Sequence, residues 1–188
     1  MVVGFVSVLL TAIIGCDSTT QIDSLVIFPK GTLWTYEIKE LDKNTSYKAY
    51  VKVTDASAEK MVLLRNEKGI KQDETWSVLP DAVTVAIPAG FAAVYPSFTI
   101  PKILKAGDSS PCSLGSTQKG ELTFNGESEK LTVLGQEVST YLITFKGDNW
   151  QRKAWYAVGY GLVRAQSWQS ENLIREETLI QKQQPAAS

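Results

Sequence analysis

The chain has 188 residues, a formal net charge of −1, two cysteines and no histidine. That length suits one domain with a real core, and the interspersed charges lack the basic footprint of a nucleic-acid binder. Without histidine, Ser-His-Asp and Cys-His catalysis, histidine-ligated zinc and any imidazole base are excluded.

The N-terminus comes first. Val2 to Gly15 carries no charge and is mostly apolar. It is too short for a spanning helix, which needs about 20 apolar residues, and it fits the apolar core of a signal peptide. Ile13-Ile14-Gly15-Cys16 resembles the lipobox of bacterial lipoproteins: a branched apolar residue three before the cysteine, then an apolar residue, then glycine. The resemblance implies cleavage before Cys16, a thioether-linked diacylglyceryl group on its thiol and an amine open to acylation. Each buried CH₂ contributes about 0.8 kcal/mol, so two or three chains hold where one is marginal. Met1 to Gly4 lacks the basic residue that usually leads such a signal. The competing readings are a plain secretory signal with a cysteine nearby, and a Cys16–Cys112 bridge in an unlipidated protein. Asp17, directly after Cys16, resembles the inner-membrane retention signal of enteric bacteria, a rule that does not transfer elsewhere, so the membrane stays open.

The expected organisation is a signal peptide over 1–15, a polar tether over 16–24, an antiparallel β domain over 25–181 and a disordered tail over 182–188. In Trp34-Thr35-Tyr36-Glu37-Ile38-Lys39, Trp34, Tyr36 and Ile38 share one face, the period of a half-buried strand. Tyr47 to Thr54 alternates again, Met61 to Leu64 is a stronger apolar run, and Ile70 to Val78 follows a Gly69 turn. Ala82 to Ile87 reads as a strand. Pro88 to Leu104 holds three further punctuating residues, Gly90, Pro96 and Pro101, with Phe91, Tyr95, Phe98 and Ile100 between them. Prolines remove ladder donors, so this stretch reads as an apolar loop or edge. Ala106 to Pro111 reads as a loop. Strand patterns resume at Lys119 to Phe124, closed by an Asn125-Gly126 turn, then at Glu129 to Leu134, Val138 to Phe145, Arg152 to Val158, Leu162 to Trp168 and Asn172 to Ile180. Turns every 8–12 residues or so mark an all-β protein.

Two segments carry a further resemblance. Phe28-Pro29-Lys30-Gly31-Thr32-Leu33-Trp34-Thr35-Tyr36 resembles the opening of small bacterial envelope proteins, F/Y-P-x-x-x-G-x-x-W-x-Y, with a shorter gap between Pro29 and Gly31. Trp155-Tyr156-Ala157-Val158-Gly159-Tyr160-Gly161-Leu162-Val163-Arg164 resembles their closing W-Y-A-x-G-x-G-L-V-K/R. That family is largely uncharacterised, so the resemblance implies a fold: an antiparallel meander curved into a half-open or closed barrel, similar to periplasmic lipoprotein carriers.

The remaining constellations are weak. Asp73 and Glu74 face opposite ways on a strand, and Glu74 reads as part of a solvated face. Cys112 has no electropositive setting in the sequence that would activate a thiol. No metal spacing or phosphate loop appears, and no cofactor is implied. The expectation is therefore a non-enzymatic lipoprotein of the cell envelope, membrane-anchored and facing the periplasm or exterior. Its partners are the membrane, through the lipid, and a lipid-like ligand or an envelope protein. Phe91, Tyr95, Phe98 and Ile100 are the expected lid over a concave face bearing Trp34 and Trp155. A purely structural envelope protein is the alternative, and a carboxylate hydrolase the remoter one.

Overall fold

The computed structural model describes residues 19–185; the leading segment, Cys16 and residues 186–188 lie outside it. The elements run β1 (Thr20–Gln21), α1 (Asp23–Val26), β2 (Leu33–Glu40), β3 (Thr45–Ala56), β4 (Lys60–Glu67), β5 (Ile70–Val78), β6 (Ala82–Ala86) and β7 (Ser97–Pro101). They continue with β8 (Ile103–Leu104), β9 (Ser109–Leu114), β10 (Gln118–Val133), β11 (Gln136–Gly147), β12 (Trp150–Ala157), β13 (Gly161–Gln169) and β14 (Asn172–Gln183). All but β1, β8 and α1 form one closed antiparallel barrel, in which β14 pairs with β2 and β9 closes the ring between β7 and β10. The expected all-β meander is thus a fully closed barrel. Closure pairs each of these strands with a neighbour on both sides over part of its length, which limits the aggregation hazard of an open sheet edge.

Strand alternation builds the core. Trp34, Tyr36 and Ile38 on β2 and Ala49, Val51 and Val53 on β3 are buried. Their outward neighbours Lys48 and Lys52 are exposed, where a membrane-spanning barrel would carry an apolar band. No described helix is long and apolar enough to cross a membrane. Leu142 and Leu162, whose pattern suggests full burial, are only half-buried.

The two segments behind the family resemblance meet in space. The ring of Phe28 packs edge-on against Trp34, centroids 4.8 Å apart. Trp34 Nε1 donates to the Tyr160 carbonyl at 2.7 Å, and Tyr36 Oη to the Leu162 carbonyl at 3.1 Å. Gly161, at φ +82°, is required here: a Cβ would stand 3.2 Å from the Phe28 ring, and positive φ disfavours other residues.

Several local expectations are corrected. Asn125-Gly126 does not turn. Gly126 instead marks a register shift inside the continuous β10, and Thr144 Oγ1 donates to Asn125 Oδ1 across the strand pair. The proline-rich middle supplies two staves of the barrel. Pro96 and Pro101 stand just before and at the end of β7, where missing donors cost little, so Phe98 to Ile100 pair with Val85 to Val83 of β6. Pro111 lies inside β9, but β7 pairs with β9 only through Ser113 and Cys112, so one side of the strand has no ladder at Pro111. The second half of the expected tether belongs to the fold: Thr20 and Gln21 pair with Leu104 and Ile103, and Ile22 is 1% exposed. The last strand likewise continues past residue 181, with Lys182 and Gln183 opposite Trp34 and Leu33.

Candidate functional site

Both ends of the barrel are stoppered by chain that is not itself a stave. At one end, Leu25, Val26 and Phe28 are buried. Their short helical turn is held through Ile22, whose N–H donates to the Lys102 carbonyl at 2.8 Å. At the other end, the loop between β6 and β7 folds inward. It is fixed by successive turns (Ala92 N–H to the Pro88 carbonyl at 3.0 Å, Tyr95 N–H to the Phe91 carbonyl at 3.0 Å) and by Gln72 Oε1, which accepts from Gly90 N–H at 3.1 Å.

Between the stoppers lies a cavity of ≈ 80 Å³. One part of its wall is apolar, including Leu25, Val26, Phe28, Trp34, Val51, Met61, Leu63, Trp76, Phe98 and Phe145. The other is polar, including Arg65, Glu74, Tyr95, Arg152 and Tyr156. A second hollow of ≈ 220 Å³ opens outside the loop, between Val94, Trp150, Trp168 and Ile174, and Arg152 and Arg175 line it. Arg152 therefore stands in the wall between the inner and outer spaces.

The polar wall is an ionic band within the barrel. Arg65, Arg152 and Arg175 are buried together with Glu67, Glu74 and Glu177, three charges of each sign. Arg65 Nε donates to Glu74 Oε1. Arg152 Nη1 donates to Glu177 Oε1 at 2.6 Å and to Ser167 Oγ at 3.0 Å. Arg175 donates through Nε to Glu177 at 3.0 Å and through Nη1 to Glu67 at 2.9 Å. Burial alone would push the Glu177 carboxyl up, but Arg152 and Arg175 outweigh it and hold the acid well below the usual range. Glu67 is likewise lowered: Arg175 and Tyr47 offset its burial. Desolvation cancels much of the attraction in such pairs, so the band adds little net stability, yet loss of one member strands a buried charge.

Tyr95 sits at the centre of this band. Its Oη accepts from Arg175 Nη2 at 2.6 Å and donates to Glu67 Oε2 at 2.9 Å. The guanidinium carbons of Arg65, Arg152 and Arg175 lie 4.0, 5.0 and 5.4 Å from its ring centroid. Burial raises its phenol pKa well above the usual value.

The expected lid residues divide. Phe91 and Tyr95 are on the stopper loop, both 4% exposed, but Tyr95 makes polar contacts where an apolar seal is expected. Phe98 and Ile100 are on stave β7, and Phe98 lies against Trp76 and Phe145 at 6.2 and 5.1 Å between centroids. Trp34 lines the cavity. Trp155 does not share that face: alternation from Arg152 and Tyr156, both cavity residues, puts it on the outer side of β12 under Arg164, 5.1 Å away. Glu74 is no solvated residue but 1% exposed. The band was legible in one respect: Arg65 and Glu67 continue the phase of Met61 and Leu63, Glu74 that of Trp76, and Arg175 and Glu177 that of Leu179. Cys16 lies outside the described residues. Cys112 is free and buried opposite Phe98, and burial, with Glu121 nearby, pushes its thiol up to about 11, the opposite of the electropositive setting that activates a thiol. No group of three metal-ligating side chains occurs among the described residues.

Comparison with known proteins supports the architecture. No family model and no curated sequence matches the chain. Among solved structures, a protein of Bacteroides fragilis assigned as exported, with a YmcC-like fold, is similar over 85% of this chain and 99% of its own, at a TM-score of 0.55 and 11% identity. A protein of Parabacteroides distasonis assigned as a lipoprotein matches over the same shares, at 0.51 and 10% identity. At such identities the likeness is one of fold.

Proposed function

We propose that this chain is a lipid-anchored, non-enzymatic protein of the bacterial cell envelope, and that its barrel holds a lipid-like ligand. The observation that carries the reading is the cavity between two stoppers, apolar on one side and polar on the other, as a small-molecule site requires. The assignment of the two structural neighbours as an exported protein and a lipoprotein supports the envelope location, as does the lipobox at Cys16. Each buried carboxylate of the band is tied to a guanidinium, which leaves no free acid–base pair for hydrolysis. Native mass spectrometry of the full chain released from membranes tests the reading. A small apolar adduct in stoichiometric amount is expected. A bare mass in repeated preparations, with no uptake of an apolar fluorescent probe, refutes it.

One observation favours a second reading, a structural envelope protein that docks a protein partner. Tyr95 is bonded to two strands at once, which ties the loop shut. Recovery of one stoichiometric protein partner with an empty cavity would favour it.

A further inference from the structure

Two buried donors beside the cavity lack a partner among the described residues: Nη1 of Arg65 and Nε1 of Trp76. Both residues line the cavity, and the Arg65 side chain is 8% exposed. On the β4–β5 pair Arg65 stands opposite Gln72 and Trp76 opposite Met61, and Glu74, which accepts from Arg65 Nε, is the inward residue between the two levels. Arg65 stacks on the Tyr95 ring, but stacking uses the face of the guanidinium and leaves its in-plane N–H groups needing an acceptor. A buried donor without an acceptor is costly. Water or a ligand oxygen must meet these two.

The charge balance says which kind of oxygen. The band already holds equal numbers of arginines and glutamates. A carboxylate or phosphate entering the cavity would add an uncompensated negative charge to a buried, already balanced band. A hydroxyl, ether or carbonyl oxygen would satisfy the donors without that cost. Size gives the third constraint. One water needs only about 10–15 Å³ of occupied volume, so a cavity of ≈ 80 Å³ has room for a small molecule. A two-chain phospholipid is far larger.

We infer that the cavity binds a small, uncharged amphiphile, its oxygen accepting from Arg65 Nη1 and Trp76 Nε1 and its apolar end against Met61, Leu63 and Trp34. The inference rests on the ligand-holding reading above and narrows it to a chemical class.

The test titrates the full chain in nanodiscs, against empty nanodiscs, with hexan-1-ol, hexanoate and hexane. Hexan-1-ol should bind about tenfold or more tighter than either of the others, the worth of one or two well-placed hydrogen bonds. Trp76→Phe, which keeps an aromatic ring and removes one donor, should cut the preference for hexan-1-ol over hexane severalfold. Arg65→Met is the second variant, read the same way if circular dichroism shows it folded. Tighter binding of hexanoate, or equal binding of all three, overturns the inference and leaves the ligand-holding reading standing. No binding of any of the three means that water fills the cavity, and both fall.

Discussion

The hydroxyl of Tyr95 lies 2.6 Å from Nη2 of Arg175, which joins the stopper loop to the last strand of the barrel. The same hydroxyl reaches Glu67 on β4. One side chain from an irregular segment thus ties together strands that are far apart in sequence. Tyr95→Phe keeps the ring between its three guanidinia and removes only the oxygen, leaving Arg175 and Glu67 each short of a partner. We expect a loss of about 1–3 kcal/mol, measured by urea unfolding, and faster hydrogen exchange at Phe91 and Val94. Unchanged exchange in the loop would show that the hydroxyl does not hold it.

Phe98 gives a second measure of how tightly the interior is filled. It is half-buried and borders the cavity, so its truncation enlarges an existing space. Phe98→Ala should cost about 2–3 kcal/mol, less than the roughly 3–5 kcal/mol of a fully enclosed phenylalanine, and should increase uptake of an apolar fluorescent probe. A loss at or above the upper figure with no uptake would count against the ligand-holding reading.

The band also fixes a pH dependence. Glu177 and Glu67 have carboxyls held below the ordinary range, and Glu40 is lowered to about 2: burial works against the shift, and hydrogen bonds from Lys68 and Tyr47 overcome it. A lowered folded-state pKa means that the unfolded chain binds protons first on acidification. The stability these groups contribute is present above the unfolded carboxylate value of about 4.3 and is lost as pH falls below it. Glu177 alone can remove at most about 1.4 kcal/mol per pH unit there. In the alkaline direction, burial raises the Tyr156 phenol to about 12. Its contribution holds below the unfolded value of about 10 and fades as pH rises through the folded one. The urea midpoint should therefore be flat from about pH 5 to 9 and fall on either side. A midpoint unchanged down to pH 3 would contradict the acidic arm.

At the N-terminus, Cys16→Ser removes the thiol that the lipobox requires. We expect the protein to leave the membrane fraction, read by fractionation and by intact mass of what remains bound. Full membrane retention of the variant would refute anchorage through a lipid on Cys16.

The sequence by itself determined the antiparallel all-β character and most of the strands, and left open whether the curved sheet closes. Trp34, Tyr36 and Ile38 alternate, as do Ala49, Val51 and Val53, and a period of two needs no partner to be read. The same rule placed Arg65, Glu74 and Glu177 in phase with apolar residues, yet such a pattern does not say whether a charge is buried. A charge enters a core only when an opposite charge meets it there, and the partners of Glu177 are set by the register of β12 against β13 and β13 against β14. The fate of Tyr95 was equally hidden. Its neighbours Phe91 and Phe98 suggest an apolar lid, and only barrel closure brings Glu67 and Arg175, 28 and 80 residues away, to its hydroxyl. Trp155 faces away from the cavity, which the sequence does not show, because strand period fixes which residues share a side but not which side is the inside. That choice follows from the curvature of the whole sheet, a property of all twelve barrel strands together.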